Sequence, residues 1–402
     1  RHLAKVEVAS SSLVTRSKRR QCVGAFFYIK MQEGCKMDQI LSEFLELAAY
    51  SVPSKHETEI RQCLMEKLLE LGFSVSVDEA FPETHSGSLY GFLRGTLPGE
   101  PILFTAHMDT VTPCENKKIT VEPDGTIHTD GTTILGGDDL TGVVELLAAV
   151  RRIRQEKCPH RDIEIIFTAC EEYFVQGAQR LDYSRIRSRE AYVLDTDGEI
   201  GSAVLAAPTG IRVMATMEGK ASHAALKPED GVNAVVMAAD AISHMKLGRV
   251  DADTTANIGI IQGGGSGNIV PDRCFVEGET RSLVHASAIA QRDHMAQCFQ
   301  NAADKAGGSC KLELSTVYTA WSVEPEEPIC RRFHRAAERA GLKPCFLRAC
   351  GGSDASFLSA HGIRCLVLAT GMHEIHSVRE YTTVGEMENM AQVVKRLMCD
   401  SE

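Results

Sequence analysis

Ile102-Leu103-Phe104-Thr105-Ala106-His107-Met108-Asp109 is an apolar run of buried-strand length that ends on an imidazole, with a carboxylate two residues further on. A strand apolar on both faces fits a sheet covered on both sides, as parallel sheets are. The pattern recurs: residues 163–168 run into Glu171-Glu172, and residues 191–194 end at Asp195. Between the first two lies a helical stripe of Val143, Val144, Leu146, Leu147, Val150 and Ile153, spaced to cover one face of a sheet. This alternation makes the fold α/β, and the C-terminal edge of an open α/β sheet is where sites form. Three strands therefore deliver acids and an imidazole to one edge.

Working outward, Ser54-Lys55-His56-Glu57 has capping-box spacing before the amphipathic run Ile60, Leu64, Leu68 and Leu69, which predicts a helix. Short β-rich runs follow at 73–77 and 89–93, and residues 119–135 are β-like around Asp124-Gly125. From residue 211 the pattern changes to strand 211–217, helix 232–245, strands near Ile258 and Phe275, helix 286–306 and strand 311–317. That β-α-β-β-α-β order is ferredoxin-like, a small α+β unit of its own. The α/β character resumes with helix 329–340, strand 365–369 and helix 386–398.

We therefore expect a catalytic domain at 37–208 and 320–402, with a central mixed sheet flanked by helices, and an inserted domain at 209–319. Residues 1–36 cluster Arg16, Lys18, Arg19 and Arg20 and have weak periodicity, so they are expected to form a disordered extension outside the fold. The run Gly263-Gly264-Gly265-Ser266-Gly267 lacks the strand, spacing and helix of a phosphate loop and reads as a turn.

With 402 residues and 44% hydrophobic composition, the chain can bury a large core. Its net charge of -11 argues against nucleic acid as a partner, since phosphate contacts need clustered Lys and Arg. The 14 cysteines are scattered singly with no CxxC pair, which suits free thiols in a reducing cytoplasm better than a disulfide framework. No apolar run approaches the ~18 residues a membrane helix needs, so a soluble, cytoplasmic protein with no membrane partner is expected.

Zinc takes imidazole nitrogen and carboxylate oxygen, and a hydrolytic metal pair needs a bridging carboxylate, terminal ligands on each ion and a nearby base. The chain offers such a set in His107, Asp138 of Gly136-Gly137-Asp138-Asp139, Glu171-Glu172, Asp195 and His376 of Ile375-His376-Ser377. Taken singly, each is also what a solvated surface group looks like.

Their order is what resembles a family. Ala106-His107-Met108-Asp109-Thr110-Val111, Gly137-Asp138-Asp139-Leu140-Thr141-Gly142, Thr168-Ala169-Cys170-Glu171-Glu172, Ser222-His223-Ala224, Gly351-Gly352-Ser353-Asp354-Ala355 and His376-Ser377-Val378-Arg379-Glu380 follow the motifs of the dinuclear zinc peptidases that include peptidase T, carboxypeptidase G and the aminoacylases. The resemblance covers residues 37–402. It implies that Asp138 bridges two Zn²⁺ ions, with Co²⁺ or Mn²⁺ able to substitute. His107 and Asp195 would complete one site, and Glu172 and His376 the other.

The same resemblance makes Glu171 the general base and Asp109 the acid that fixes the His107 tautomer. It places a cis peptide between Asp138 and Asp139. His373 lies three residues before His376, and the spacing to Glu380 selects His376. His223 would reach a neighbouring subunit's site to stabilise the oxyanion, implying a homodimer through an inserted domain that also acts as a lid. Asn268, Arg281, Gly351 and Gly352 resemble positions that meet the substrate backbone or its carboxylate.

The look of Asp130-Gly131-Thr132-Thr133-Ile134-Leu135-Gly136-Gly137-Asp138-Asp139 and of Leu194-Asp195-Thr196-Asp197-Gly198 points to the peptidase T-like branch. That branch implies an aminopeptidase acting on short peptides, most simply tripeptides. An N-acyl amino acid deacylase, a dipeptidase or a carboxypeptidase would use the same machinery. A non-catalytic binding module would have no need of the base and full ligand set.

Overall fold

In the computed structural model the central apolar run is the strand Ile102–His107, buried at every residue, paired in parallel with Ile163–Thr168 on one side and Glu190–Thr196 on the other. Arg364–Ala369 adds a fourth parallel strand beyond Glu190–Thr196. Antiparallel strands finish the sheet: Leu89–Leu93 lies on Ile163–Thr168, Ser74–Val77 lies beyond it, and Ser202–Ala207 starts against Arg364–Ala369. The sheet is therefore mixed, with its parallel part at the centre.

The structure describes residues 28–31, 37–78, 81 and 86–400. They fall into two compact units, one within residues 1–205, 323–347 and 353–402 and the other of residues 206–322 and 348–352. In the first unit, helix Gly137–Glu156 packs on Ile102–His107 and Glu190–Thr196, and helices Gln39–Ala48 and Val384–Cys399 pack on it. Its stripe residues Val143, Val144, Leu146, Leu147 and Val150 are fully buried, each worth about 1.5–3 kcal/mol if large. Gly142 lets this helix come close to the sheet, because a Cβ there would sit 2.6 Å from the Leu194 carbonyl oxygen. Among the described residues no helix is long and apolar enough to cross a membrane.

A second, four-stranded sheet pairs Tyr28–Met31 in parallel with Lys118–Val121, which forms a hairpin with Thr126–Thr129, which in turn pairs with Tyr381–Thr383. The strand at 28–31 departs from the expectation that residues 1–36 stay outside the fold. Its four residues show no period of their own, and their backbone is recruited by an open sheet edge. Residues 1–27 and 32–36 of the expected extension lie outside the described residues.

Helix Thr58–Glu70 begins later than the capping-box spacing predicts, and Glu57 makes no side-chain cap bond. Both box residues are used elsewhere: Ser54 Oγ donates to Asp109 Oδ2 at 2.6 Å and Glu57 Oε1 accepts the Cys170 N–H at 3.0 Å. Leu69, counted in the apolar stripe, is 53% exposed. The short strand Ser202–Ala207 and the helix Asp354–Ala360 have no clear signal in the sequence.

The second unit follows the order Thr209–Glu218, helix Ala234–Ser243, Thr254–Gly263, Arg273–Ser282, helix His285–Ala306 and Ser309–Tyr318. Arg273–Ser282 pairs antiparallel with Thr254–Gly263 and Thr209–Glu218, and Thr209–Glu218 pairs antiparallel with Ser309–Tyr318. Its core gathers Val213, Ala215, Met217, Met237, Val276, Met295 and Phe299 between sheet and helices.

Candidate metal centre

The parallel register sets the site. His107 stands opposite Thr168 at the ends of neighbouring strands, so the turn carrying Glu171 and Glu172 begins beside His107. Asp195 closes Glu190–Thr196 on the other flank. Asp138 arrives from the N-terminus of helix Gly137–Glu156, whose first residues are not helical: Asp138 has ψ 102° and the Asp138–Asp139 peptide is cis.

The Asp138 carboxylate lies between two imidazoles. Its Oδ1 is 2.9 Å from His107 Nε2 and its Oδ2 is 3.2 Å from His376 Nε2. His107 Nε2 is 3.7 Å from Asp195 Oδ1, and His376 Nε2 is 3.0 Å from Glu172. One carboxylate facing two nitrogens, each with a further carboxylate, is the arrangement two bridged cations require. Donor atoms of His107, Asp138 and Glu172 lie within 4.8 Å of one another, as do those of His107, Asp139 and Asp195. Asp139 is already used, however: its Oδ2 accepts the His107 N–H at 3.0 Å and its Oδ1 the Gly142 N–H at 3.3 Å.

Asp109 acts in a way the sequence did not suggest. His107 Nδ1 donates to the Asp109 backbone carbonyl at 2.8 Å, while the Asp109 carboxylate is 3.7 Å away. The tautomer that leaves Nε2 free is therefore fixed by main chain. The carboxylate instead accepts the Glu171 N–H at 2.9 Å and the Glu172 N–H at 3.2 Å. It holds Glu171 and Glu172, the candidate base and a candidate ligand, on one turn.

That turn is conformationally costly: Cys170 has φ +54° and Val175, a β-branched residue, +53°. Glu57, fully buried, supports it by accepting from Cys170 N–H while also accepting from Lys55 N–H and the Ser86 hydroxyl. His376 is itself left-handed, at φ +58°.

Glu380 does the same for the other side. Its Oε2 accepts the Leu135 and Gly136 N–H groups at 2.7 Å each, and its Oε1 accepts the Asp138 N–H at 2.8 Å. The sequence used Glu380 only as a spacing mark. His373 is occupied, 2.9 Å from Glu386 and stacked on Tyr381, so it does not compete with His376.

The electrostatics suit cations. Burial raises Asp195 well above the ordinary carboxylate range, and Asp138 reinforces the shift. Burial also raises Glu171, with Asp195 adding to it. Burial opposes a charge on His107, but Asp138, Asp195 and Asp139 together outweigh it and raise the imidazole. His376 is pushed up to about 10 by Asp138 and Glu172. Buried carboxylates gathered this closely need positive charge, which divalent ions supply when they displace the imidazole protons. The nitrogen and oxygen donor set suits Zn²⁺, Co²⁺ or Mn²⁺.

The remaining candidates belong to the second unit. His223 is exposed, and its Nδ1 accepts the Ala225 and Leu226 N–H groups at 3.2 Å each. Its strand Ser222–His223 pairs with Ile269–Val270, and the Asn268 carbonyl accepts the Ala224 N–H at 3.0 Å. Arg281 Nε and Nη2 hold Glu279 at 2.9 and 3.0 Å, and Nη1 donates to the Cys350 carbonyl at 3.0 Å. At Gly352 a Cβ would lie 2.7 Å from the Tyr318 ring, so this glycine accommodates an aromatic side chain of its own unit. At Gly351 the same position is 3.7 Å from Arg281.

Comparison with known proteins agrees with this geometry. The model of Peptidase family M20/M25/M40 matches residues 103–400. The chain is 38% identical over 358 residues to the uncharacterized protein YqjE of Bacillus subtilis (strain 168), covering 89% of this chain and 96% of that one. The crystal structure of aminopeptidase PepT from Bacillus cereus ATCC 10987 superposes with TM-score 0.85 at 39% identity, covering 89% and 97% of the two chains. A tripeptidase from Staphylococcus aureus subsp. aureus Mu50 superposes with TM-score 0.87 at 34% identity, covering 90% and 97%. A family model spanning most of the chain, joined to relatives this similar along nearly their whole lengths, makes the chain a member of Peptidase family M20/M25/M40 and hence a peptidase.

Proposed function

We propose that the chain is a cytoplasmic, metal-dependent aminopeptidase that removes the first residue of short peptides, tripeptides above all. The observation that carries this reading is the Asp138 carboxylate set between the His107 and His376 imidazoles, 2.9 and 3.2 Å away, with Asp195 and Glu172 behind them. His107, Asp138 and Asp195 would hold one cation, and Asp138, Glu172 and His376 the other. Two Zn²⁺ ions, or Co²⁺ or Mn²⁺, held there would supply positive charge to acidify the attacking water and polarise the scissile carbonyl. Aminopeptidase and tripeptidase are what the Bacillus cereus and Staphylococcus aureus structures are called.

Glu171 takes the proton of the attacking water and later gives it to the leaving amine. The Asp109 carboxylate keeps Glu171 and Glu172 in register through their N–H groups. His223 is suited to donate to an oxyanion, since its Nδ1 accepts two backbone N–H groups and its proton sits on Nε2. Asn268, Arg281, Gly351 and Gly352 contact the peptide backbone and its carboxylate, with Arg281 exchanging Glu279 for substrate. The chain acts as a homodimer through the second unit, whose Leu226, Val236, Ile261 and Ile269 are exposed at 75, 61, 51 and 48%.

The test is a digest of one tripeptide supplied free, N-acetylated and C-amidated, followed by mass analysis. Cleavage that requires the free amine supports an aminopeptidase. Cleavage of the N-acetylated form alone assigns the site to a deacylase, and release of the last residue instead of the first to a carboxypeptidase.

A further inference from the structure

Helix Gly137–Glu156 and the C-terminal helix Val384–Cys399 pack side by side. Their contacts climb together along the seam: Arg152 pairs with Glu388, Glu156 with Lys395, and the Cys158 thiol donates to the same Glu156 oxygen that Lys395 holds. From Lys395 to Cys399 is one helical turn, which sets Cys399 at the same end of the seam as Cys158, and burial together with the neighbouring Cys158 raises the Cys399 thiol.

Cys158 is fixed by the end of its helix. Lys157 turns left-handed at φ 55°, and the Cys158 N–H donates to the Ile153 carbonyl at 3.0 Å. The Cys158 thiol also donates to Glu156 Oε2 at 3.6 Å. Both cysteines are partly exposed, so a small molecule can reach them. Neither belongs to the metal centre, which lies at the opposite end of helix Gly137–Glu156.

We propose that Cys158 and Cys399 form a dithiol site that exchanges with low-molecular-weight disulfides such as oxidised glutathione and closes into an intramolecular disulfide. The Cys158 thiolate attacks one sulfur of the small disulfide, and the disulfide bond breaks to release one thiolate. Cys399 then loses its proton to solvent and attacks the Cys158 sulfur of the mixed disulfide, releasing the second small thiol. Two protein thiols are oxidised, and one small disulfide is reduced to two thiols. Burial pushes Cys399 up to about 12, which makes it the resolving rather than the attacking thiol. The closed bond ties the last turn of helix Val384–Cys399 to the end of the helix that carries Asp138 at its other end.

The test uses the full chain equilibrated with glutathione at increasing ratios of oxidised to reduced form, then alkylated, digested without reductant and mapped by mass. The expected result is a peptide pair joined through Cys158 and Cys399 that grows with the ratio. Cys399→Ser should abolish the pair and accumulate glutathione on Cys158, and Cys158→Ser should abolish both products. The proposal is overturned if both residues remain alkylated at the highest ratio, if the unaltered chain keeps glutathione on Cys158, or if either residue is found joined to another cysteine.

Discussion

The candidate residues of the first unit and those of the second are held in opposite ways. His107, Asp109 and Asp138 are 6% exposed or less, with His376 exposed at the rim, and apart from the bond of His107 to the Asp109 carbonyl their partners come from strands, turns and helices distant in sequence. His223 and Asn268 are exposed, and the bonds at their side chains reach residues two or three positions away. A buried polar group must be fully partnered to be tolerated, so the first constellation is built as one piece. His223 and Asn268 are locally ordered and face solvent, whereas Arg281 is held by Glu279 and by the Cys350 carbonyl 69 residues away. The first is suited to holding ions at fixed distances and the second to meeting a substrate that comes and goes.

If that contrast is right, the largest effect belongs to Glu171. Glu171→Gln should lower kcat by about 10³–10⁴ while metal content, measured on the same preparation, stays at the unaltered value. A fall of less than tenfold would remove Glu171 from the role of base.

Burial without partners should be costly, and Lys117 tests this. Its ammonium is 3% exposed with no hydrogen-bond partner among the described residues, and burial lowers it to about 8 from 10.5. Below pH 8 the amine is charged in both folded and unfolded chains and the full penalty applies. Above 10.5 it is neutral in both and the penalty vanishes, so stability rises with pH across that window. Lys117→Met should therefore stabilise the fold at pH 7 by about 3 kcal/mol, a gain that shrinks towards pH 10 in urea denaturation. An equal gain at both pH values would mean that the ammonium is not the cause.

Glu380→Gln removes one acceptor from the three N–H groups of Leu135, Gly136 and Asp138 and should weaken metal binding by about 10–100-fold, read by titration against a chelator. Unchanged affinity would show that the loop holds Asp138 without it. The smallest effect is expected in the second unit. Arg281→Ala should raise KM by about tenfold, one charge-assisted hydrogen bond's worth, and leave kcat nearly untouched. A large loss of kcat with KM unchanged would place Arg281 in the chemical step.

The strands that end in His107, Glu171-Glu172 and Asp195 were legible because apolar runs of strand length, alternating with a helical stripe, define both the fold and the edge that collects their C-termini. That His376, and not His373, stands beside Asp138 and Glu172 follows the spacing of its motif. What holds these groups was not legible. Glu380 reaches backbone N–H groups 242–245 residues away, and Glu57 reaches Cys170 across 113. Local periodicity carries no trace of such bonds, and in Ser54 and Glu57 it suggested a helix cap that the fold uses for something else. The Asp109 carboxylate was misassigned for the same reason, because spacing alone could not tell it from the carbonyl of the same residue.

The most direct test of the account is a count of metal ions. The chain saturated with Zn²⁺ and freed of excess should carry two ions per chain, Asp138→Ala should lose both, and His376→Ala should keep one. One ion in the unaltered chain, or two retained without Asp138, would contradict the carboxylate bridge on which the proposed mechanism rests.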